Sequence, residues 1–459
     1  MNRGFNKIYN KLHFAFLCGF FFSALYFSSL VLQAQEAKPL SLKQAIELSL
    51  KNSNQLKASY ARNGQSAATL KQALDSRLPN ASISGSYLLL ANPAISLKTK
   101  AFGGGGPDTS GNKTSVPSVH QAMYGIANIS FPIFAGGKIR YGIESAKYLQ
   151  QATQLDAEND KEGVILNTIN AYINLYKAAA TVNVVKENLG QSNQRDSVLS
   201  RLEQNGLLAR NDLLKSELQT SNIELSLLDA ENNLKLATIN MNLMTGLPES
   251  TILSTDSSGF QDNMDLKTIS DYELLALQNR KDISALSFRK KAATTAISAA
   301  RTDLYPSIAL TGGYIAANIP HLVTIINAVN VGVGLQYNLG SLWKTKAKIN
   351  QAQEREKEIM ANEAQLDEEV KMQINTSYEN FLLSKKKTGV FENAVVQAEE
   401  NFRITKNKYD NNLVNTTELL DANVLLLQSK INLAVAKADV LLAYSKLLES
   451  AGILSNNKY

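Results

Sequence analysis

The sequence predicts a mainly α protein with a membrane β-barrel portion, in which one order of elements is written twice: helix, two strands, a very long helix, a tight turn and a helix. Three observations carry this. Residue patterns recur at fixed offsets, strand-length stretches alternate apolar with small polar residues, and two very long helix-forming runs contain no proline.

The recurrence is the strongest of the three, because a repeat dictates architecture before any single element does. Leu50-Lys51-Asn52 matches Leu277-Gln278-Asn279, and Leu78-Pro79 matches Tyr305-Pro306, both at an offset of 227. Phe131-Pro132-Ile133-Phe134 is set against Tyr337-Asn338-Leu339-Gly340, Asn205-Gly206-Leu207 against Asn411-Asn412-Leu413, and Met244-Thr245-Gly246 against Ser450-Ala451-Gly452, all at 206. Two offsets imply two copies and a single length change between Pro79 and Phe131. The excess of 21 residues falls around Phe102-Gly103-Gly104-Gly105-Gly106-Pro107, a glycine run read as an exposed loop. Coincidence among helical sequences is the competing explanation, and offsets that hold across unlike motifs weigh against it.

At the N-terminus, Arg3, Lys7 and Lys11 precede an apolar run from Phe14 to Leu32, with Ala34 before Gln35 and Glu36. This order fits a signal peptide over 1–34, the alternative being an uncleaved membrane anchor. Cys18 is the only cysteine and lies inside the run without the small residues a lipid-anchor site would place before it. A cleaved chain would hold no cysteine, which excludes disulfides and thiolate metal sites.

The first helix of copy one is expected from Leu42 to about Ser76, and its counterpart from about Ser270 to Asp303, each stopping before a proline. Strands follow at about 80–91 and 307–317, where Ala81, Ile83, Gly85, Tyr87 and Leu89 alternate with Ser82, Ser84 and Ser86. The clearest strand, about 328–340, alternates Val329, Val331, Val333, Leu335, Tyr337 and Leu339 with small or polar residues; 121–134 is placed only by its repeat partner. Such alternation marks either a half-buried antiparallel sheet or a membrane-barrel wall. Beyond the N-terminal run no stretch is long and apolar enough for a spanning helix, so a membrane crossing would need a closed barrel.

The runs Lys138–Gln204 and Lys344–Asp410 lack proline. A helix of about 65 residues would reach about 100 Å, longer than a compact domain allows. Narrow apolar stripes such as Val164, Ile165, Thr168, Ala171, Tyr172 and Leu175, and Val395, Ala398, Phe402, Thr405 and Tyr409, suit antiparallel coiled-coil packing. Four strands cannot close a barrel, for which eight is about the minimum. Three chains would supply twelve, above a helical cylinder. The expected division is a first repeat over 40–248, a second over 265–454 and a C-terminal tail over 455–459.

The order of elements, the duplication, the Leu78-Pro79 and Tyr305-Pro306 steps into strands and the two tip turns resemble the TolC outer-membrane factor family, from about Leu40 to Leu454. The resemblance implies a homotrimeric channel-tunnel with a twelve-stranded barrel on a periplasmic α-helical cylinder. It implies a passive exit duct for tripartite efflux or type I secretion, placed in the outer membrane with a periplasmic extension. Its partners would be a periplasmic adaptor (membrane fusion protein), an inner-membrane transporter and outer-membrane lipid, with no cofactor.

Within Tyr409–Ala422 the resemblance places Glu418 and Asp421 as an acidic pore entrance, since residues three apart share a helix face and carboxylate rings favour cations. The competing reading is a solvated pair on an exposed face. Asn205, Gly206, Leu207 and Leu208, with Asn412, Leu413 and Val414, are candidates for adaptor docking, or are two ordinary hairpin turns. Asn412 replaces the usual glycine but tolerates the left-handed conformation, and Val414 replaces a basic latch residue found in some members. Gly206 is kept in the first copy, with Arg210 and Asp212 nearby.

The net charge of +6 falls to +3 without Arg3, Lys7 and Lys11, and the charges interleave, which is no nucleic-acid footprint. His120 and His321 have no ligand partners at metal spacing, and Trp343, Tyr337 and Phe134 suit either an interfacial aromatic belt or simple packing. No phosphate loop, nucleophile elbow or paired catalytic acids is present. A soluble periplasmic coiled-coil scaffold is the alternative function, a secreted adhesin or anchored adaptor comes third, and an enzyme last.

Overall fold

The computed structural model describes residues 38–91, 119–256, 266–320 and 323–456. The expected signal peptide, Cys18, the glycine run at 103–106 and His321 lie outside the described residues. The chain forms two compact units: one takes residues to Leu56, Lys161–Asn279 and Val370 onward, the other Lys57–Asp160 and Arg280–Glu369.

In chain order the elements are β1 (Lys38–Leu40), α1 (Leu42–Asn52), α2 (Asn54–Asp75), β2 (Asn80–Leu89), β3 (Gln121–Phe134), α3 (Lys138–Gln204) and α4 (Arg210–Thr245). They continue as β4 (Leu253–Thr255), α5 (Ile269–Asn279), α6 (Lys281–Arg301), a 3-10 turn (Thr302–Leu304), β5 (Ser307–Ile319), β6 (Val323–Gln336), α7 (Ser341–Asp410) and α8 (Thr416–Ser450). The predicted order of helix, two strands, long helix, turn and helix is present twice.

The strand-bearing unit holds one antiparallel sheet of order β2-β3-β5-β6. Cross-strand registers place Ile83 opposite Ala127, Ala127 opposite Tyr314, and Tyr314 opposite Val329. Leu310 likewise opposes Val333, and Ile308 opposes Leu335. All these side chains share one face, because alternate residues point the same way. The opposite face carries Ser84, Asn128, Thr311, Asn330 and Gln336. The apolar face is bare: Ile83 is 89% exposed, Val331 79% and Leu335 71%. The poor alternation of 121–134 has a reason, since Tyr124 and Ile126 put apolar atoms on the polar face as well. Beside the sheet, helices pack through small residues, with Ala285, Ala292 and Ala293 of α6 buried. Ion pairs join the packed helices, Arg62 with Asp160, Lys281 with Glu158 and Arg289 with Asp156.

The helical unit is centred on α3. All six residues of its predicted stripe are buried, Val164, Ile165, Thr168, Ala171, Tyr172 and Leu175. Phe381 packs against Tyr444 and Tyr272 against Tyr378. A parallel pair, β1 with β4, was not expected from the sequence. The buried Tyr172 hydroxyl ties it to α3, lying 2.9 Å from the carbonyl oxygens of both Leu40 and Asp256 and accepting the Asp256 N–H at 3.0 Å.

Three expectations need correction. The first helix of each copy is broken, at Ser53 and at Arg280, both with non-helical backbone; these positions are themselves 227 apart. Ser53 Oγ accepts the N–H of Leu56 to start α2. Asn52 Nδ2 leaves α1 to donate to Thr245 O at 2.6 Å. The last strand begins at Val323 and ends at Gln336 instead of covering 328–340, and 337–340 form the turn into α7. The length difference is therefore not one step. The β5–β6 connection is only 320–322, the long helices start 203 residues apart and their ends lie 206 apart, so α7 carries the compensating extra residues.

Candidate functional site

The two helix-hairpin turns, both within the helical unit, close with the same pair of bonds, Gly206 to Glu203 O matching Asn412 to Tyr409 O and Leu207 to Leu202 O matching Leu413 to Lys408 O. Gly206 has φ 72° and Asn412 φ 56°, and the next N–H reaches back five residues. This is a Schellman ending, which needs a left-handed residue. Asparagine supplies it where the sequence reading noted the missing glycine. The five-residue bond recurs at the other helix ends, Leu247 to Asn242 O and Ile453 to Leu448 O.

The turns differ in how the next helix starts. Asn415 caps α8, its Oδ1 accepting the N–H of Glu418 at 3.0 Å, whereas Ala209 at the matching position offers no side-chain cap to α4. Across the first turn Arg210 instead pairs with Glu203 at 3.5 Å.

A groove of about 820 Å³ lies between the turns. It brings together Leu207, Leu208, Asn412 and Val414 of the predicted tip residues. Leu207 and Leu413 are 75% and 73% exposed. The groove also contains Phe402 and Tyr409, expected only as members of a packing stripe, and Arg195, which sequence reasoning missed. Gln191, Gln194, Arg195, Val198 and Leu202 follow helical spacing, the only advance signal that they share a wall. Arg195 Nε donates to Ser216 Oγ at 3.0 Å, Ser216 donates to Asp196, and Thr220 Oγ1 donates to Asp196 Oδ2 at 2.5 Å. Burial pulls the guanidinium pKa down, while Asp196 and Tyr409 oppose it. Asn423, which also lines the groove, accepts at Oδ1 from Asn188 Nδ2 at 3.1 Å between buried faces of α3 and α8.

Glu418 and Asp421 lie on the exposed face of α8. Among the described residues neither makes an ion pair. Glu418 sits in the first turn, where a carboxylate also complements the helix dipole.

One unit presents a sheet with one exposed apolar face and the other pairs long helical hairpins. The family description "Outer membrane efflux protein" matches residues 45–247 and 274–453. Among solved structures, the chain is similar to the Campylobacter jejuni CmeC outer membrane channel, with TM-score 0.75 and 20% identity over 90% of this chain and 86% of that one. It is similar to the Vibrio cholerae outer membrane protein VceC, with TM-score 0.72 and 19% identity over 90% and 96% of the two chains. It is also similar to CusC, with TM-score 0.75 and 16% identity over 90% and 92%. No curated protein matches the sequence. The chain belongs to the outer membrane efflux protein family. It is an outer-membrane efflux protein, and the soluble-scaffold alternative is not favoured.

Proposed function

We propose that three copies of this chain close a passive exit duct, entered past Glu418 and Asp421 and docked at its two turns on a periplasmic adaptor. An inner-membrane transporter would complete the assembly, for efflux or type I secretion. The observation that carries the reading is the sheet: a bare apolar face belongs against lipid. Among the described residues β2 and β6 each pair on one side only, and open edges of this length call for partners. Exposed leucines along α4, including Leu214, Leu218, Leu225 and Leu236, supply an apolar seam for a neighbouring copy. The groove with its exposed leucine rim suits a helical partner. Export would be directed by residues 1–34, and the two repeats would occupy 40–248 and 265–454.

The test is single-channel conductance of the purified protein in planar bilayers, with and without Glu418→Gln plus Asp421→Asn. Pores whose cation preference falls in the double variant support both duct and entrance. Pores with unchanged preference remove the entrance assignment, and a water-soluble, non-conducting protein removes the duct.

A further inference from the structure

We propose that the strand-to-helix junction carries an anion-binding site on the duct interior, built from Lys138, Lys344 and Lys348 around Asp303, whose ligand class is a phosphate-like multivalent oxyanion. This rests on the reading that the polar sheet face lines the duct.

The site is a cavity of about 400 Å³ inside the strand-bearing unit, where β3 enters α3, the 3-10 turn leads to β5 and β6 leads to α7. Its side of the wall follows from parity. Ser307 and Gln336 line the cavity and are cross-strand partners. They stand on the same face as Thr311 and Asn330, opposite to the bare face of Ile308 and Leu335. The helix agrees. Ser341, Lys344, Thr345 and Lys348 recur at three and four along α7 and all line the cavity, so they share one helix face. Leu342 and Trp343, which point elsewhere around the helix, are 56% and 69% exposed. The lysines therefore stand away from the apolar band.

The charges do not cancel. Asp303 receives Lys138 at 3.4 Å and Lys348 at 2.5 Å. Lys344 makes no ion pair among the described residues. Three ammonium groups face one carboxylate, leaving two positive charges in each copy. The side chains of Lys138 and Lys348 remain 68% and 61% exposed, so a solute can reach them. Ammonium groups are mobile point charges that suit an anion with several oxygens. A ring of three such sites inside a low-dielectric wall would focus the field on passing anions. The duct would then hold a zone of sign opposite to its carboxylate entrance.

The probe is inorganic triphosphate added to single channels in planar bilayers, with reversal potentials measured in a KCl gradient. Wild-type pores are expected to be blocked by triphosphate. Lys344→Gln breaks no ion pair and should weaken the block about two- to fivefold, as expected for one solvent-exposed charge. Lys344→Gln with Lys348→Gln should weaken it further and shift the reversal potential toward cations, and Lys344→Arg should restore the block. Pores of normal conductance whose block and reversal potential are the same in wild type and the double variant overturn the site. Folded, water-soluble protein that forms no pores overturns the duct reading and the interior placement with it.

Discussion

Tyr172 shows how one side chain holds a helix to a strand pair. Its ring is buried in α3 and its hydroxyl serves backbone groups of Leu40 and Asp256. Burial is the main influence pushing the phenol pKa up. Tyr172→Phe keeps the ring and removes the hydroxyl's hydrogen bonds to the Leu40 and Asp256 backbone, so it should cost about 0.5–1.5 kcal/mol, read as a lower denaturation midpoint of the detergent-solubilised protein. Asp303 supplies a pH-dependent counterpart. The hydrogen bond from Lys348 is the main influence holding its carboxyl below the ordinary value, with Lys138 adding and burial opposing. A depressed folded pKa contributes stability above the ordinary carboxylate pKa of about 4 and loses it as pH falls through the lowered value. Melting temperature should therefore drop more steeply below pH 4 in wild type than in Asp303→Asn; parallel curves would show that the junction does not depend on this charge.

At the scale of elements, the start of α8 is the best place to test the duplication. Asn415 caps it and Ala209 leaves α4 without the equivalent bond. Asn415→Ala should cost about 1 kcal/mol and Ala209→Asn should gain a similar amount, both measurable as shifts in unfolding midpoint. The long helices, the tip turns and the strand pairs were legible in the sequence, because proline placement, period-two alternation and left-handed residues are local signals. The breaks at Ser53 and Arg280 were not. What stabilises the first is the reach of Asn52 to Thr245 O, 193 residues away, and no periodicity reports such a bond. The β1–β4 pair is equally hidden, since three residues a side carry too little pattern. Four of the groove residues, Leu207, Leu208, Asn412 and Val414, were legible through the turns. Arg195 was not, because its role depends on Ser216 reaching it and its neighbour Asp196 from α4. The acidic pair was found only through family resemblance, and its exposed, unpaired setting in one chain fits an entrance and a solvated surface alike.

For the whole molecule, the deciding fact is that one face of the four-stranded sheet is apolar in every strand while none of the described residues covers it. Ile83 and Ser84 are neighbours on the edge strand β2, both exposed, and they point to opposite faces. If the sheet is barrel wall, arginine at the first must enter hydrocarbon and arginine at the second enters water. A charge near the bilayer midplane costs about 2–4 kcal/mol and one in the lumen far less. Ile83→Arg should thus lower the fraction recovered in the outer membrane, or folded into vesicles, while Ser84→Arg stays close to wild type. In a water-soluble sheet both positions are solvent-facing and the two substitutions would be tolerated alike. Equal recovery of the two variants would therefore place the apolar face against something other than lipid, and a protein neighbour along the whole sheet would be required in its place.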